Sequence, residues 1–569
     1  MRSHPRICPA RPPRSPHIRN LCTRNDRAHR VYRPRSISHS PNAPCARLLC
    51  QRFAATLPLP TQTYRRSPRT PQKHPPKLTP LPSAMPASYA TLMARLNAVQ
   101  QGHLLNFYNT LSAHAGASLL QQIAALDIDA LPALVRDYVH SKPAFALPPN
   151  LAPAPYYAPD PSRGGLPWNP AAAQQKGEQL LRAGKIAGFV VAGGQGSRLG
   201  FDGPKGCYPA GCATNKSLFE LFSQHFLGAN ARYGVRIPWY IMTSPLNHAA
   251  TIDFFELHNF FGLERADVMF FPQGVLPSFD IRTGQVLLAA PSEVATSPDG
   301  HGGSILALAV SGALDDLRRR GIEHLSYFQV DNPLVRPFDP AFIGLHAGAG
   351  LTAANASAAS SGEMSSKMIP KAYPEEKMGV FCSSGGRVEV IEYSDLPQPL
   401  QAQRLDDGSL RFIAGSIAIH LIGVDFLSRV ALDPAFALPY HRAEKKIPCI
   451  DPASGAAIAP ETNNGVKLEK FVFDALSSCK SSIVYETDRS DEFGPIKNAS
   501  GLDSVHTSKA LQTARAARWL QSRGVKIPLR PDGSPDCTIE ISAVTATCAE
   551  ELNPATLPRS VQPGETLVL

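Results

Sequence analysis

The chain has 569 residues, 43% of them hydrophobic and 18% charged, with 54 prolines and a formal net charge of +11. Such proportions suit several domains with sizeable buried cores, and no run of about 18 apolar residues is present to span a membrane. The charge is lopsided: residues 1–84 hold 17 Lys/Arg, 16 Pro and the single acid Asp26, a local +16 that leaves −5 for the rest and makes nucleic acid an unlikely partner of the body.

Residues 1–84 alternate Arg, Pro, Ser and His with almost no apolar periodicity. They read as a disordered basic extension, unable to bury enough surface to offset chain entropy. Three origins stand open: upstream sequence translated in error with Met85 as the start, an organelle transit peptide, or a basic arm for nucleic acid or an acidic surface, though without the interleaved aromatics of a stacking platform. A secretory signal is excluded by the absence of an apolar central segment.

From Tyr89 to Tyr138 apolar residues recur at helical spacing (Leu92, Leu96 and Val99, then Leu104, Phe107 and Leu111, then Leu119, Ile123 and Leu126), which predicts a helical layer over 85–180. A Pro- and Ala-rich connector, 143–170, follows. The run 185–191 then opens an alternation of strands and helices: a buried strand, a helix over 218–233, a strand at 239–243, a helix over 248–261, and a strand at 268–271. A helix over 303–320 and a strand at 325–330 complete it. This pattern predicts an α/β fold over 181–435, with a mostly parallel sheet covered on both faces. Residues 368–423 extend the sheet. Residues 436–569 are expected to close over the substrate phosphates and to end in a small C-terminal module, with a strand-like run at 538–544.

Seven of the 11 cysteines lie beyond residue 84, scattered and without CxxC pairs. This argues against a disulfide framework or a structural zinc site, and for free thiols in a reducing cytoplasmic setting.

The richest segment is Val191-Ala192-Gly193-Gly194-Gln195-Gly196-Ser197-Arg198-Leu199-Gly200, continuing to Gly203-Pro204-Lys205-Gly206. Glycines allow close backbone approach and aim amides at an anion. Arg198 adds a planar fork for phosphate oxygens, and Lys205 a mobile point charge. The combination reads as a triphosphate cradle. It is not a dinucleotide fingerprint, because Leu199 stands where the third glycine belongs. Nor is it a Walker loop, because Gly206 and Cys207 follow Lys205.

The stretch Val191–Ala210 resembles the signature of the UDP-N-acetylhexosamine pyrophosphorylases, the eukaryotic-type UTP:sugar-1-phosphate uridylyltransferases. The likeness continues, in the family's order, through the segments 237–244, 270–277, 298–303, 330–332, 392–394, 444–448, 465–471 and 491–498. It implies a Rossmann-like nucleotidyltransferase fold and attack of a sugar-1-phosphate on the α-phosphorus of UTP, with release of pyrophosphate. Mg²⁺ is the implied ion, with Asp331 as its ligand; an acid at a strand end would equally suit a turn or helix cap. The resemblance further implies that Arg198 and Lys205 stabilise the phosphates in catalysis. It places the nucleotide on Gly193, Gly194, Gly196, Gln273, Gly300 and His301, and the sugar phosphate on Glu392, Tyr393, Lys446 and Lys467. Where the family carries Asn-Ala-Gly-Asn-Ile, this chain has Ile413-Ala414-Gly415-Ser416-Ile417, and His301 stands in place of another Asn. An Ile cannot imitate an Asn hydrogen bond. The resemblance makes N-acetylglucosamine-1-phosphate the first expectation, while these replacements leave glucose-1-phosphate or a broad sugar range as the alternative, with a non-catalytic uridine-nucleotide sensor as the competing class. Oligomeric state is not expressed in these motifs.

Overall fold

The apolar run 186–191 forms the strand Ile186–Val191. In the computed structural model, which describes residues 88–142, 145–352 and 359–569, it is flanked in parallel by Trp239–Thr243 on one side and His324–Gln329 on the other. Val268–Pro272 lies beyond Trp239–Thr243, again parallel. Successive strand residues point to opposite faces. Ile186 and Val190 accordingly enter one apolar cluster, and Ala187 and Phe189 another. Both faces are covered, so the strand is apolar throughout instead of alternating. The basic extension 1–84 lies outside the described residues.

The remaining part of the sheet is antiparallel. Ala414–Gly423 runs against His324–Gln329 and against Met364–Pro370, while Val380–Ser384 runs against Ala152–Pro153 and Arg387–Ile391. Among the described residues ten strands share this mixed sheet. The late strand Val484–Glu486 rejoins it, parallel to Met364–Pro370. The C-terminal module proper consists of the helix Val505–Ser522 and the parallel pair Thr538–Glu540 and Thr566–Val568.

Chain order places the site. From Ile186–Val191 the chain moves outward through 239–243 to 268–272, then crosses back to lay His324–Gln329 on the opposite side. Loops that depart in opposite directions from adjacent strands leave a crevice at the carboxyl edge of the sheet, where open α/β folds bind ligands. Val191 and Gln329 are register partners, so the glycine loop and Asp331 both begin at that crevice.

Several elements match their expected bounds, including Leu218–Tyr233, capped by the Ser217 side chain and closed by Gly234 at φ 68°. Three do not. The helix expected over 248–261 ends at Leu257, because Asn259, Phe260 and Phe261 turn left-handed at φ 48°, 51° and 53°. That turn drops Phe260 into the core and sets Phe261 against Phe255. The helix expected over 303–320 is two, Ser304–Val310 and Ala313–Arg320, parted at Gly312 with φ 79°. The strand-like run 538–544 is a strand only to Glu540.

The N-terminal layer contains the helices Tyr89–Ala98 and Ala113–Ala124. Its leucines pack on Phe279, Val286, Leu288, Val466 and Leu468. It thereby backs a small sheet in which Gly465–Glu469 pairs with His441–Lys445 and Phe279–Asp280. Because Val466 and Leu468 are buried, the alternation turns Lys467 to the opposite face. No single helix among the described residues is long and apolar enough to cross a membrane. The bent pair Ala113–Ala124 and Ile128–Val139 approaches that composition, and its Leu119, Ile123, Ile128 and Leu131 are used in this core.

Candidate active site

The glycine loop is a hairpin. Gly196 N donates to Gly203 O at 2.9 Å and Lys205 N to Gly194 O at 3.0 Å. Gly196 is a packing requirement: a Cβ there would sit 2.7 Å from the Phe201 ring and 2.9 Å from its carbonyl oxygen. The loop's polarity is one-sided. Gly196 O accepts from Leu199 N and Phe201 N, and Gly194 O from Lys205 N, whereas the amides of Gly193, Gly194 and Gln195 donate to no group among the described residues. Free amides beside engaged carbonyls make an anion-binding nest.

Arg198 sits in the short turn Ser197–Leu199, exposed and paired with no acid among the described residues. Lys205 stands across the loop, 3.4 Å from the Asp331 carboxylate, with both side chains largely buried. These groups line one cleft of about 1060 Å³, together with Gly193, Gly194 and Lys467. Apolar residues that line the cleft include Val275, Ile447 and the well-exposed Leu246. Charged additions that sequence reasoning left without a role are Glu293 and Lys497. Lys497 lies in the motif segment 491–498, which was the available signal.

Lys497 reaches the cleft because its segment hangs from the turn after His324–Gln329. Ile496 N donates to Asp331 O at 2.8 Å, Gly494 N to Asn332 Oδ1 at 3.1 Å, and Asn332 Nδ2 to Glu492 O at 2.7 Å. Beneath it Lys367, with no exposed side-chain surface, holds Asp339 at 2.8 Å and Glu492 at 2.6 Å. Burial of a lysine is tolerable only with such close partners. Burial opposes the ionised form of Asp339, but Lys367 and Arg336 beside it outweigh that and lower its pKa.

The other expected residues lie elsewhere. Gln273 is buried behind Gly193, its amide donating to Asp299 Oδ1 at 3.1 Å and Gly300 O at 3.2 Å. Burial raises the Asp299 pKa, and the Gln273 bond partly offsets this. Gly300 adopts φ 84°, and a Cβ there would strike the backbone of Lys470. Its close approach is thus to the chain itself. His301 stacks on Phe471 at 5.0 Å, and its Nδ1 accepts from Val472 N at 3.1 Å. Burial pushes its pKa down to about 4, so the ring is neutral at pH 7.

Glu392 belongs to the same neighbourhood. Burial raises its pKa, and the charge of nearby His441 acts the other way. His441 stacks on the second face of Phe471 at 4.0 Å and contacts Asp474 at 2.8 Å. Tyr393 and Lys446 are exposed and do not line the cleft. The structure therefore gathers Gly193, Gly194, Arg198, Lys205, Asp331 and Lys467, and sets Glu392 and His301 in a second group around Phe471. Among the described residues no three His, Cys, Asp or Glu side chains cluster as a metal cage.

A strand-end nest, two cations that reach into one crevice and an acid just past the neighbouring strand make a cleft suited to phosphate groups. The sequence profile of the UTP–glucose-1-phosphate uridylyltransferase family matches residues 167–525. The chain belongs to this family. It is 36% identical over 495 residues to the human UDP-N-acetylhexosamine pyrophosphorylase-like protein 1, covering 82% of this chain and 94% of that one. With the Saccharomyces cerevisiae UDP-N-acetylglucosamine pyrophosphorylase it shares 35% identity, over 66% of this chain and 77% of that one. The solved structure of the Trypanosoma brucei uridine diphosphate N-acetylglucosamine pyrophosphorylase superposes with a TM-score of 0.68 at 26% identity, covering 86% and 99% of the two chains. That of the Entamoeba histolytica protein, described as a UDP-N-acetylglucosamine pyrophosphorylase, gives 0.61 at 31% identity, covering 69% and 96%. The family member is a nucleotidyltransferase of the uridylyl-transferring kind.

Proposed function

We propose that this chain transfers the uridylyl group of UTP to N-acetylglucosamine-1-phosphate, with UDP-N-acetylglucosamine and pyrophosphate as products. The observation that carries the reading is the convergence of Arg198, Lys205, Lys467 and Lys497 on one cleft beside the free amides of Gly193, Gly194 and Gln195. The sugar-phosphate oxygen forms the new bond to the α-phosphorus as the bond to the β-phosphate oxygen breaks, and pyrophosphate carries away the electron pair. The nucleophile is already anionic, so no general base is needed. The obstacle is repulsion between two polyanions, which catalysis meets by charge neutralisation and in-line positioning.

In this reading Arg198 binds the β/γ-phosphates and Lys205 the α-phosphate, while Lys467 and Lys497 receive the incoming sugar phosphate. Gln273 acts from behind, holding the turn at Asp299 and Gly300 against the glycine loop. The carboxylate of Asp331 fits a Mg²⁺ ion, which takes most of its oxygens from phosphate and water. When bound, that ion supplies charge compensation at the phosphates. The free thiols of Cys207, Cys212, Cys382, Cys449, Cys479, Cys537 and Cys548 support a cytoplasmic location.

Glucose-1-phosphate is a second reading, favoured by one feature: Ile413, Ser416 and His301 stand where relatives offer asparagines, and His301 is already engaged by Val472. A pyrophosphate-release assay with UTP, Mg²⁺ and a panel of hexose-1-phosphates decides. The highest kcat/KM with N-acetylglucosamine-1-phosphate supports the first reading; preference for a sugar without the acetamido group overturns it.

A further inference from the structure

Asn247 precedes the helix His248–Leu257, the position where an Asn side chain usually accepts a bond from the helix's first free amides and adds about 1 kcal/mol. Here it makes no capping bond. Its side chain instead points back under the sheet edge, 1% exposed. Nδ2 donates to Ala192 O at 3.0 Å and Gly194 O at 3.2 Å, while Oδ1 accepts from Ser244 N at 2.8 Å and from its hydroxyl at 3.1 Å. Only this orientation satisfies the amide, since the reverse would set an acceptor against two carbonyls.

These two carbonyls belong to the same peptide units as the free amides of Gly193 and Gln195. Ala192 O and Gly194 O are the oxygens that would face the triphosphate if the loop turned over, and a carbonyl aimed at phosphate repels it. Asn247 consumes both donors on them, and its own backbone oxygen is held by Thr251 N at 2.9 Å and Thr251 Oγ1 at 2.7 Å. The side chain therefore joins the loops leaving two adjacent parallel strands, Ile186–Val191 and Trp239–Thr243, and fixes which way the first one points its dipoles. Preorganised dipoles cost no rearrangement when the charged ligand arrives.

We infer that Asn247 is a positioning residue that sets the polarity of the glycine loop, holding the Ala192 and Gly194 carbonyls inward so that the amides of the same two peptide units, Gly193 N and Gln195 N, face the cleft. The inference rests on the nucleotide-binding reading above but concerns the loop itself. The full chain is compared with N247A, with the isosteric N247D, which has no donor when ionised, and with N247T, which keeps one. UTP binding is measured by calorimetry, and hydrogen exchange of the peptide 192–205 is followed without ligand. N247A and N247D weaken UTP binding about tenfold or more and speed exchange of the Gly196 and Lys205 amides. N247T falls between, and the KM for sugar-1-phosphate stays within about twofold of the parent. Wild-type UTP affinity together with wild-type exchange in N247A and N247D overturns the inference. Should either of those fail to fold, N247T decides by the same two measurements. If the parent chain itself takes up no UTP, the nucleotide reading falls, and the ligand-free exchange then decides on the latch alone.

Discussion

The two halves of the site differ in what their polar groups do. On the phosphate side Arg198, Lys467 and the amides of Gly193, Gly194 and Gln195 have no partner among the described residues, and Lys205 has only Asp331. Around Phe471 most polar groups are already engaged: His301 by Val472 N, His441 by Asp474, and the Gly300 carbonyl by the Gln273 amide. Open cations at a topological crevice define the reaction, whatever sugar arrives. Groups turned inward define the shape of the pocket.

If that division is right, K205A and R198A each lower kcat by about 10²–10³-fold, the scale of one lost transition-state donor in a water-poor site, with the thermal midpoint unchanged. Rates within tenfold of the parent in both variants would break the comparison. K367M should act on the fold: it leaves Asp339 and Glu492 buried without their cation, at about 3–5 kcal/mol. Denaturant unfolding checks this, and unchanged stability would mean that the triad does not hold the segment of Lys497. E392Q sharpens the other half, raising KM for sugar-1-phosphate about tenfold with KM for UTP unchanged; steady-state kinetics with each substrate varied separates the two.

The remaining effect is the most diffuse, because it is spread over three buried histidines. Burial pushes the pKa of His225 and His420 down to about 3 and that of His301 to about 4. The unfolded chain takes up these protons near pH 6.5 while the folded chain refuses them. Their stabilisation is complete above about pH 6.5 and declines below it, by about 1.4 kcal/mol per pH unit for each histidine, until the folded values are reached. Urea unfolding from pH 7 to pH 4 measures the slope, and H301N should make it shallower.

Much of this was legible in the sequence. Strand Trp239–Thr243 and helix Leu218–Tyr233 fall within their expected bounds because local apolar pattern, a Ser cap and a closing Gly agree. Arg198 and Lys205 stand out because they are cations set among the glycines of one loop, and Asp331 because it follows a strand end. The hidden parts depend on distant partners. Nothing near Lys497 in the chain reveals that Asn332 docks its segment, and nothing near Asn247 reveals carbonyls 53 and 55 residues away. The left-handed turn at Phe260 is set by a core that lies outside any local window.

The central claim is that this cleft neutralises a nucleoside triphosphate so that a second phosphate can displace pyrophosphate from it. Single-turnover mixing of the protein with UTP, Mg²⁺ and N-acetylglucosamine-1-phosphate tests it, with the chain carrying both R198A and K205A alongside. The account predicts one equivalent of pyrophosphate and one of UDP-sugar per active site from the parent, and neither on that timescale from the double variant. Equal release from both, or none from the parent with any hexose-1-phosphate, would contradict it.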